Sequence, residues 1–276
     1  MNLINIKDIN DPGMDLFARA TERQLREEGI FLAETCEVIL RALEAGCEPL
    51  SMLVEKARLE VEAGPVFDAV EKHCGKDTLD KIPVYIAEQE TIINMTGHHL
   101  VRGLWMVLKR RPKTELEEFF SGKRRIAVLT DVVNPVNVGA IFRSAAALGM
   151  DGVLLTHSSV DPLTRRVSRV SMGTVFQIPW AQAPLEDSKG LDLIGLLDSY
   201  GYKTCAMALT SDSVSVDNDE IRANEKLAVL LGTEGRGLPE EIIKACDYRV
   251  MIPMYHGVDS LNVAAAAAVC FWELMK

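Results

Sequence analysis

The chain has 276 residues, of which 48% are hydrophobic, and a formal net charge of −10 at pH 7. This length and composition predict a folded protein of one large domain or two ordinary ones, and no apolar run reaches the ~18–20 residues that a membrane-spanning helix needs. The negative charge argues against a surface that binds nucleic acid throughout, but a nucleic acid contacts only a local patch.

The first part of the chain alternates short helical and strand-like stretches. Apolar residues at helical spacing predict a helix over residues 31–45. Further elements are predicted as strands over residues 49–54 and 83–87 and as helices over residues 66–74 and 88–96. Together they indicate a small α/β domain over residues 1–108. Residues 109–124, which contain a proline and a glycine, are the predicted linker.

Residues 125–276 have a sharper pattern, in which short apolar strands alternate with helices. The predicted strands cover residues 125–130, 152–156, 203–208, 227–231 and 248–252. The predicted helices cover residues 137–148, 191–200 and 240–246, and a last one begins near Leu261. This alternation predicts a parallel sheet covered on both faces. In such sheets, ligands bind at the loops that leave the carboxyl ends of the strands.

Cysteine usage and the N-terminus both indicate an intracellular protein. Six cysteines are scattered along the chain without a Cys-x-x-Cys pair, and no carboxylate-rich cluster appears, so we expect no metal. Residues 1–14 lack the basic start and apolar core of a secretory signal. We therefore expect reduced, buried thiols in a cytoplasmic protein.

Basic residues concentrate in two places despite the acidic total. Between Arg102 and Arg125, eight basic residues stand against three acidic ones, a local charge of +5. Arg165, Arg166 and Arg169 form a second cluster. A solvated linker and a solvated helix face explain such runs as well as an RNA-binding surface does, so the clusters alone leave both interpretations open.

Two of three notable strand-to-helix junctions combine glycines with polar residues. In the first, Asn137 is placed to cap the following helix, Gly139 permits close backbone approach, and Arg143 follows about one and a half turns into that helix. In the second, three glycines within residues 232–237 open the backbone to a ligand. This loop matches neither the dinucleotide fingerprint nor the P-loop.

The third junction runs from Ile252 to Asn262 and precedes an alanine-rich helix. Ser260 is a candidate cap for that helix, and the alanines permit close packing against a neighbouring element. Taken alone, Ser260 and Asn262 fit capping as well as a functional role. His256 fits an ordinary loop position better than a catalytic one.

Together, the three junctions resemble the SpoU, or TrmH-type, class of the SPOUT RNA methyltransferases. The family's first motif, Asn-x-Gly-x-x-x-Arg, is matched by residues 137–143, and its second, Gly-x-Glu-x-x-Gly, by residues 232–237. Its third, Ile-Pro-Met followed by Ser-Leu-Asn-Val and an alanine-rich helix, is matched by residues 252–254 and 260–263. The motifs occur in the family's order, and the similarity extends from about Arg125 to the C-terminus.

The resemblance implies a fold. Residues 161–162 and 169–173 look like the family's middle segment, so the methyltransferase domain is expected to cover residues 125–276. This domain is an α/β, parallel-sheet SPOUT domain whose C-terminal segment threads a deep trefoil knot, a feature nearly absent from other proteins. Residues 1–108 are similar, in layout more than in motif, to the small α/β, L30e-like RNA substrate-binding domain often attached to this family.

The resemblance also implies functional residues. S-adenosylmethionine is the implied cofactor, held largely through backbone groups of Gly232, Ile252 and Leu261. The implied catalytic set is Arg143, Asn137, Glu234, Ser260 and Asn262. We expect Arg143 to hold the target phosphate and stabilise a developing alkoxide, since a guanidinium stays protonated. Asn137, Glu234, Ser260 and Asn262 are expected to position Arg143, the ribose or the cofactor, and Glu234 equally fits a structural role, in which it pairs with Arg143 or caps backbone amides. The expected RNA-binding residues are Arg110, Arg111, Arg124, Arg165, Arg166 and Arg169.

The implied reaction is methylation of a ribose 2′-hydroxyl in rRNA or tRNA, with rRNA slightly favoured. Family members are usually homodimers through the knot region, and the alanine-rich helix after Asn262 is a candidate interface unless the monomer buries it. The main alternative is a knotted RNA-binding protein without catalytic activity. A nucleotide-dependent oxidoreductase is disfavoured by the missing dinucleotide fingerprint, and methylation of a base is also left open. No membrane partner is expected.

Overall fold

A computed structural model describes residues 1–8, 10–96, 103–184 and 191–276. The chain divides into two compact units. The N-terminal unit consists of Met1–Pro112 and Leu163–Gln177, and the C-terminal unit consists of Lys113–Pro162 and Ile178–Lys276. The expected domain over residues 125–276 includes residues 163–177, whereas the structure groups this segment with the first unit.

The described residues form twelve strands in two sheets. The N-terminal unit contains β1 (Asn2–Ile6), β2 (Ile30–Glu34), β3 (Pro49–Glu55), β4 (Pro83–Ala87) and β5 (Leu104–Lys109). The C-terminal unit contains β6 (Arg125–Leu129), β7 (Gly152–Leu155), β8 (Trp180–Gln182), β9 (Lys203–Met207), β10 (Val214–Ser215), β11 (Leu227–Leu231) and β12 (Tyr248–Met251). Every strand predicted from the sequence is confirmed to within one residue at each end. The sequence pattern missed β1, β2, β5, β8 and β10.

The helices range from four to sixteen residues in length. Those of the described residues are α1 (Asp15–Ala18), α2 (Glu22–Glu27), α3 (Cys36–Glu44), α4 (Leu59–Cys74), α5 (Lys76–Lys81), α6 (Gln89–Thr96), α7 (Leu116–Phe120), α8 (Pro135–Ala147), α9 (Arg165–Val170), α10 (Leu191–Ser199), α11 (Asp219–Arg222), α12 (Glu240–Ala245) and α13 (Val263–Leu274). No helix in this part of the chain combines the length and the apolar character that a bilayer crossing requires.

One predicted helix is wrong over its first residues. The apolar run predicts a helix over residues 31–45, but its beginning belongs to β2 and only Cys36–Glu44 form α3. All five residues of β2 are buried, and the strand pairs antiparallel with β5. Thr35, at a φ of 83°, turns the chain between the two elements. A short apolar run fits a buried strand as well as a helix, so the pairing partner decides.

The N-terminal unit is built on a five-stranded mixed sheet with the order β1-β4-β3-β5-β2. β1, β4 and β3 run parallel, while β5 is antiparallel to both β3 and β2. One core cluster of this sheet includes Leu32, Leu53, Tyr85, Trp105 and Val107. The unit thus has a buried core of its own, as a separately packed domain requires.

Residues 163–177 are fastened to the N-terminal unit by side-chain contacts. Helix α9 packs on β2, where Arg169 Nη1 donates to both carboxylate oxygens of Glu34, at 3.2 and 3.0 Å. The Glu34 side chain is 4% exposed and that of Arg169 is 37% exposed. The Arg165 guanidinium lies 5.0 Å from the centre of the Trp105 ring. Two arginines predicted to bind RNA therefore have partners within this unit.

The C-terminal unit is built on a seven-stranded sheet with the order β10-β12-β9-β11-β6-β7-β8. Every strand pair in it is parallel. The α/β fold with a parallel sheet that the sequence predicts is therefore confirmed. Helices α10 and α12 share a core cluster with the sheet, whereas α8 and α13 pack against each other.

The strand order brings the three motif loops to one edge of the sheet. The carboxyl ends of parallel strands lie at the same edge, and the three loops follow β6, β11 and β12. β6 and β11 are adjacent, while β9 separates β11 from β12. Residues more than a hundred positions apart along the chain therefore meet at this edge.

The predicted linker over residues 109–124 contains regular structure. Lys109 ends β5, and Leu116–Phe120 form α7. The rings of Phe119 and Phe120 are buried in the core of the C-terminal unit. The boundary between the units falls between Pro112 and Lys113.

We expect Arg169→Ala to destabilise the N-terminal unit by about 2–3 kcal/mol, because it leaves the buried Glu34 carboxylate without its counter-charge. The loss should be smaller than for a fully buried pair, since 37% of the Arg169 side chain is exposed. Urea unfolding followed by circular dichroism measures it. The control is Arg166→Ala, which removes an exposed arginine from the same helix and should change stability by less than about 0.5 kcal/mol. Equal stability of both variants would contradict the role of the ion pair.

Candidate functional site

The first motif loop connects β6 with α8 and ends in an asparagine cap. Asn134 Oδ1 accepts a hydrogen bond of 2.9 Å from Val136 N, and Pro135 occupies the first helical position. Both features are typical of helix N-termini. The prediction that Asn137 caps this helix is therefore wrong, because Asn137 is the third residue of α8. Its buried side chain serves the other loops instead.

The second motif loop closes on itself directly after β11. Thr233 N donates to Gly237 O at 3.2 Å, and Gly237 N donates to Thr233 O at 3.1 Å. A Cβ atom added at Gly232 would lie 2.3 Å from the carbonyl carbon of Gly237 and 2.4 Å from Leu238 N. Both are backbone atoms of the loop, so the closed loop itself requires glycine at position 232. Glu234 lies at the exposed tip.

The third motif loop runs from Ile252 to Asn262 and ends in a second asparagine cap. Asn262 Oδ1 accepts a hydrogen bond of 2.9 Å from Ala264 N, and α13 begins at Val263. The prediction that Ser260 caps this helix is therefore wrong, and the helix begins two residues later than the sequence predicts. Asn262 takes the cap because it directly precedes the first helical residue, where its side chain reaches the free backbone N–H groups.

Side-chain hydrogen bonds join the three loops. Asn137 Nδ2 donates to Glu234 Oε1, and Asn262 Nδ2 donates to Asn137 Oδ1 at 3.1 Å. The structure thus brings together three of the five residues in the implied catalytic set. Glu234 bonds to Asn137 and not to Arg143, which corrects the expected pairing of this carboxylate with the arginine. We call Asn262, Asn137 and Glu234 the loop-joining chain.

Arg143 and Ser260 lie outside the loop-joining chain. Arg143 lies on α8, six residues after Asn137, and both Arg143 and Ser260 are exposed. Within the described ranges neither side chain has a hydrogen-bond or ion-pair partner. A guanidinium held on a helix without a carboxylate partner can bind an anion from outside the chain.

A cleft of about 310 Å³ opens beside the third motif loop. Its lining consists of Leu209, Met251, Ile252, Pro253, Met254, Val258 and Asp259. Ile252 is one of the three residues implied to hold the cofactor, whereas Gly232 and Leu261 are not part of the lining. The sequence analysis missed Leu209. Its position just after a predicted strand could have indicated it. Only the pairing of β9 with β12, however, places Leu209 beside the third motif loop and in the cleft.

The lining of the cleft is largely apolar. Six of its lining residues are apolar, and Asp259 is the only charged one. Gly232, Ile252 and Leu261 make no backbone hydrogen bond with any described residue, so their N–H and C=O groups remain for a ligand. Apolar walls with a few convergent polar groups are what nucleoside-like ligands require.

Most of the arginines predicted to bind RNA have partners within their own unit. Besides Arg165 and Arg169, three donate to backbone carbonyl oxygens, at 3.0, 3.0 and 3.3 Å: Arg110, Arg111 and Arg124. Arg166 is exposed and has no partner in the described part of the chain. Arg102, at the start of the first basic cluster, lies outside the described residues. An RNA interface at the two clusters stays a prediction.

The six cysteines, all within the described residues, form no disulfide, and four of them are buried. Burial raises the pKa of Cys47 and of Cys246 to about 11 and that of Cys270 to about 12. Thiols of this kind stay protonated at neutral pH and are poor nucleophiles. Among the described residues, no group of three or more His, Cys, Asp and Glu side chains is placed to hold a metal ion.

Comparison with known proteins identifies relatives along nearly the whole chain. Residues 124–272 match the model of the SpoU rRNA Methylase family. An uncharacterized tRNA/rRNA methyltransferase of Mycobacterium bovis is 32% identical over 282 residues, which cover 99% of this chain and 92% of that protein. The similarity to this relative therefore includes both units.

Two crystal structures have a similar fold. An AdoMet-bound rRNA methyltransferase from Sinorhizobium meliloti superposes with a TM-score of 0.80 at 23% identity, covering 99% of this chain and 97% of that one. An RNA 2′-O ribose methyltransferase superposes with a TM-score of 0.77 at 24% identity, covering 99% of this chain and 98% of that one. At these identities the likeness establishes the shared fold.

We expect Gly232→Ala to open the second motif loop, because the added Cβ has no room beside the loop's own backbone. Overpacking of this kind costs about 1–3 kcal/mol, which urea unfolding measures. NMR of the Asn137 side-chain amide should show loss of its bond to Glu234. The control is Gly195→Ala on α10, where a Cβ meets nothing within 4 Å, and it should stabilise slightly. If both variants unfold alike, the closed loop does not need its glycine.

Proposed function

Since the chain belongs to the SpoU rRNA methylase family, we propose that it transfers a methyl group from S-adenosylmethionine to a ribose 2′-hydroxyl of RNA. Ribosomal RNA is the favoured substrate and transfer RNA the second. The observation that carries the proposal is the loop-joining chain, which ties the three motif loops together at the carboxyl edge of a parallel sheet. One of these loops lines an apolar cleft, and Arg143 lies on the helix of Asn137.

The cleft beside the third motif loop is the proposed cofactor site. Its apolar walls fit an adenine ring, and Ile252 in its lining offers unpaired backbone groups to the polar edge of the ring. Gly232 and Leu261 lie outside this lining, and their unpaired backbone groups are the further proposed contacts to the cofactor. The relative of similar fold from Sinorhizobium meliloti binds this cofactor. When bound, S-adenosylmethionine supplies a methyl group on a sulfonium, so that the reaction is a displacement at carbon by the ribose oxygen.

Arg143 is the proposed catalytic residue. A ribose hydroxyl is a weak nucleophile while protonated, so the protein must align it and stabilise the negative charge that develops on its oxygen. Arg143 is exposed, permanently charged and without a carboxylate partner in the described part of the chain. We assign it to gripping the phosphate of the target nucleotide and to stabilising the developing alkoxide. Ser260 offers a hydroxyl to the same nucleotide.

The loop-joining chain has a positioning role in this proposal. Asn137 uses both ends of its amide, one on Glu234 and one on Asn262, while Asn262 uses its oxygen to cap α13. The fixed donor and acceptor ends of the two amides hold the loops in one register. Arg143 follows Asn137 by six positions and Ser260 precedes Asn262 by two, and we propose that both contact the same substrate.

The N-terminal unit is the proposed L30e-like substrate-binding domain. Its mixed α/β sheet and its separate core support this assignment. We further propose that the C-terminal segment threads a trefoil knot. β12, the last strand of the chain, lies between the earlier strands β9 and β10, which is the arrangement that threading would produce. Six described cysteines without a disulfide support a cytoplasmic location.

Helix α13 is the proposed homodimer interface. Val269 and Trp272 are 40% and 59% exposed on it, and Met275, directly after its end, is 39% exposed. The alanines that the sequence analysis considered for this interface are divided, since Ala264 and Ala267 are buried within the protomer. An exposed tryptophan among apolar neighbours is typical of a surface that another chain covers.

The first test is transfer of labelled methyl groups from S-adenosylmethionine to RNA that lacks modifications. We expect the wild type to methylate a ribose at one position, and Arg143→Ala to reduce the rate at least about 100-fold, as loss of a group that stabilises charge in the transition state does. Mapping the product by nuclease digestion and mass spectrometry separates ribose from base methylation. RNA and cofactor binding without any transfer would instead establish the alternative of a non-catalytic RNA-binding protein.

A second test separates positioning from stability. Asn262→Asp keeps the side-chain oxygen that caps α13. It replaces the Nδ2 group that donates to Asn137 Oδ1 by a second oxygen, so that two acceptors would face each other. We expect methyl transfer to fall about 10–100-fold with little loss of stability. Asn134→Asp is the matched control, because it makes the same change at a cap without a link to the other loops. Equal activity of both variants would remove the positioning role of Asn262.

A further inference from the structure

The arginines of the C-terminal unit fall into two groups by their partners. Four of the six are engaged within the unit, with backbone carbonyl oxygens or carboxylates: Arg124, Arg125, Arg222 and Arg249. Arg143 and Arg236 make no hydrogen bond or ion pair with any residue that the structure describes. Both unengaged arginines belong to the motif loops or to the helix that follows one. The site residues implied by the sequence include Arg143 but not Arg236.

Hydrogen bonds hold the backbone around Arg236 in place. It lies between Gly235 and Gly237, whose φ angles are 101° and 67°, in the loop that the two Thr233–Gly237 backbone bonds close. Leu238, two residues later, is only 4% exposed and anchors the loop in the core. The exposed guanidinium is therefore presented from a fixed backbone, two residues from Glu234 of the loop-joining chain.

The charge of the unit makes an unpaired arginine informative. The C-terminal unit contains 13 Lys and Arg against 21 Asp and Glu, a formal charge of −8. Although the unit has many carboxylates, none of those described pairs with Arg236. Its guanidinium, held on a hydrogen-bonded backbone, can therefore bind an anion from another molecule. The planar fork of a guanidinium matches the oxygens of a phosphate.

We propose that Arg236 binds a phosphate of the substrate RNA and positions the target nucleotide together with Arg143. This inference rests on the proposed function of the same site. A carboxylate of the cofactor is the other anion within the reaction, and the cofactor affinity of Arg236→Ala distinguishes the two ligands. A backbone phosphate of RNA is the favoured ligand because the Arg236 side chain is exposed and lies outside the lining of the cleft, and Arg236 is a positioning residue for it.

The test is the salt dependence of RNA binding. Fluorescently labelled, in vitro transcribed fragments of rRNA and tRNA without modifications are titrated by anisotropy at 50–300 mM salt. Loss of one phosphate contact should lower the slope of log affinity against log salt by ~0.7–0.9 and weaken binding roughly 10-fold. We expect this result for Arg236→Ala. Arg236→Lys should keep the slope but recover only part of the affinity, because an ammonium cannot form the bidentate contact.

Two measurements separate this role from the other possibilities. Cofactor affinity by calorimetry should stay unchanged in Arg236→Ala, and the KM for RNA should rise more than kcat falls. Lys244→Ala, which removes an exposed charge paired with Glu240 on the next helix, is the control and should leave the slope unchanged. A wild-type slope in Arg236→Ala, or lost cofactor binding, would overturn the proposal. Absence of methyl transfer by the wild type, with salt-dependent RNA binding intact, would instead overturn the proposed function alone.

Discussion

The site depends on two asparagine amides that are each used at both ends. Asn262 holds a backbone N–H of α13 with its oxygen and reaches Asn137 with its nitrogen, and Asn137 passes the connection to Glu234. Because the helix cap fixes which end of Asn262 is the acceptor, the direction of every bond in the chain is fixed. Parallel strands bring the three loops to one edge, and this chain sets how they meet there. The geometry of the proposed catalytic centre follows from that single arrangement.

Arginines in this protein have two distinct uses. Most of them stabilise the fold. Arg169 neutralises the buried Glu34, and Arg125 donates to the backbone carbonyl oxygens of Arg222, Asn224 and Glu225, which precede β11. The few that remain unengaged in the described part of the chain are the ones that we propose to bind RNA. In this proposal, an acidic surface with a small number of exposed guanidinium groups would limit non-specific binding, since non-specific affinity grows with the number of phosphates neutralised. The choice of one RNA over another would then depend on where those guanidinium groups lie.

Much of the fold follows from local sequence. Parallel strands buried on both faces form apolar runs, and β6, β7 and β11 were found within one residue of their predicted ends because such runs have sharp boundaries. β9 and β12, which are less completely buried, were also found within one residue of their predicted ends. Gly232 was also recognisable, since a glycine directly after a strand indicates a constrained turn. β2 was mistaken for helix because its first four side chains are apolar and all five are buried, and periodicity cannot separate the two structures in so short a run.

The sequence by itself determined the candidate site residues: the family motifs contain Asn137, Arg143, Glu234, Ser260 and Asn262 in order. Only the tertiary structure decided which of them form hydrogen bonds with one another. It made Asn134 and Asn262 the helix caps, turned Glu234 to Asn137, and occupied Arg165 and Arg169 within the N-terminal unit. The reason is physical. A residue's type fixes the bonds that it can form, but its partner lies far along the chain, and strand order and packing bring the two together.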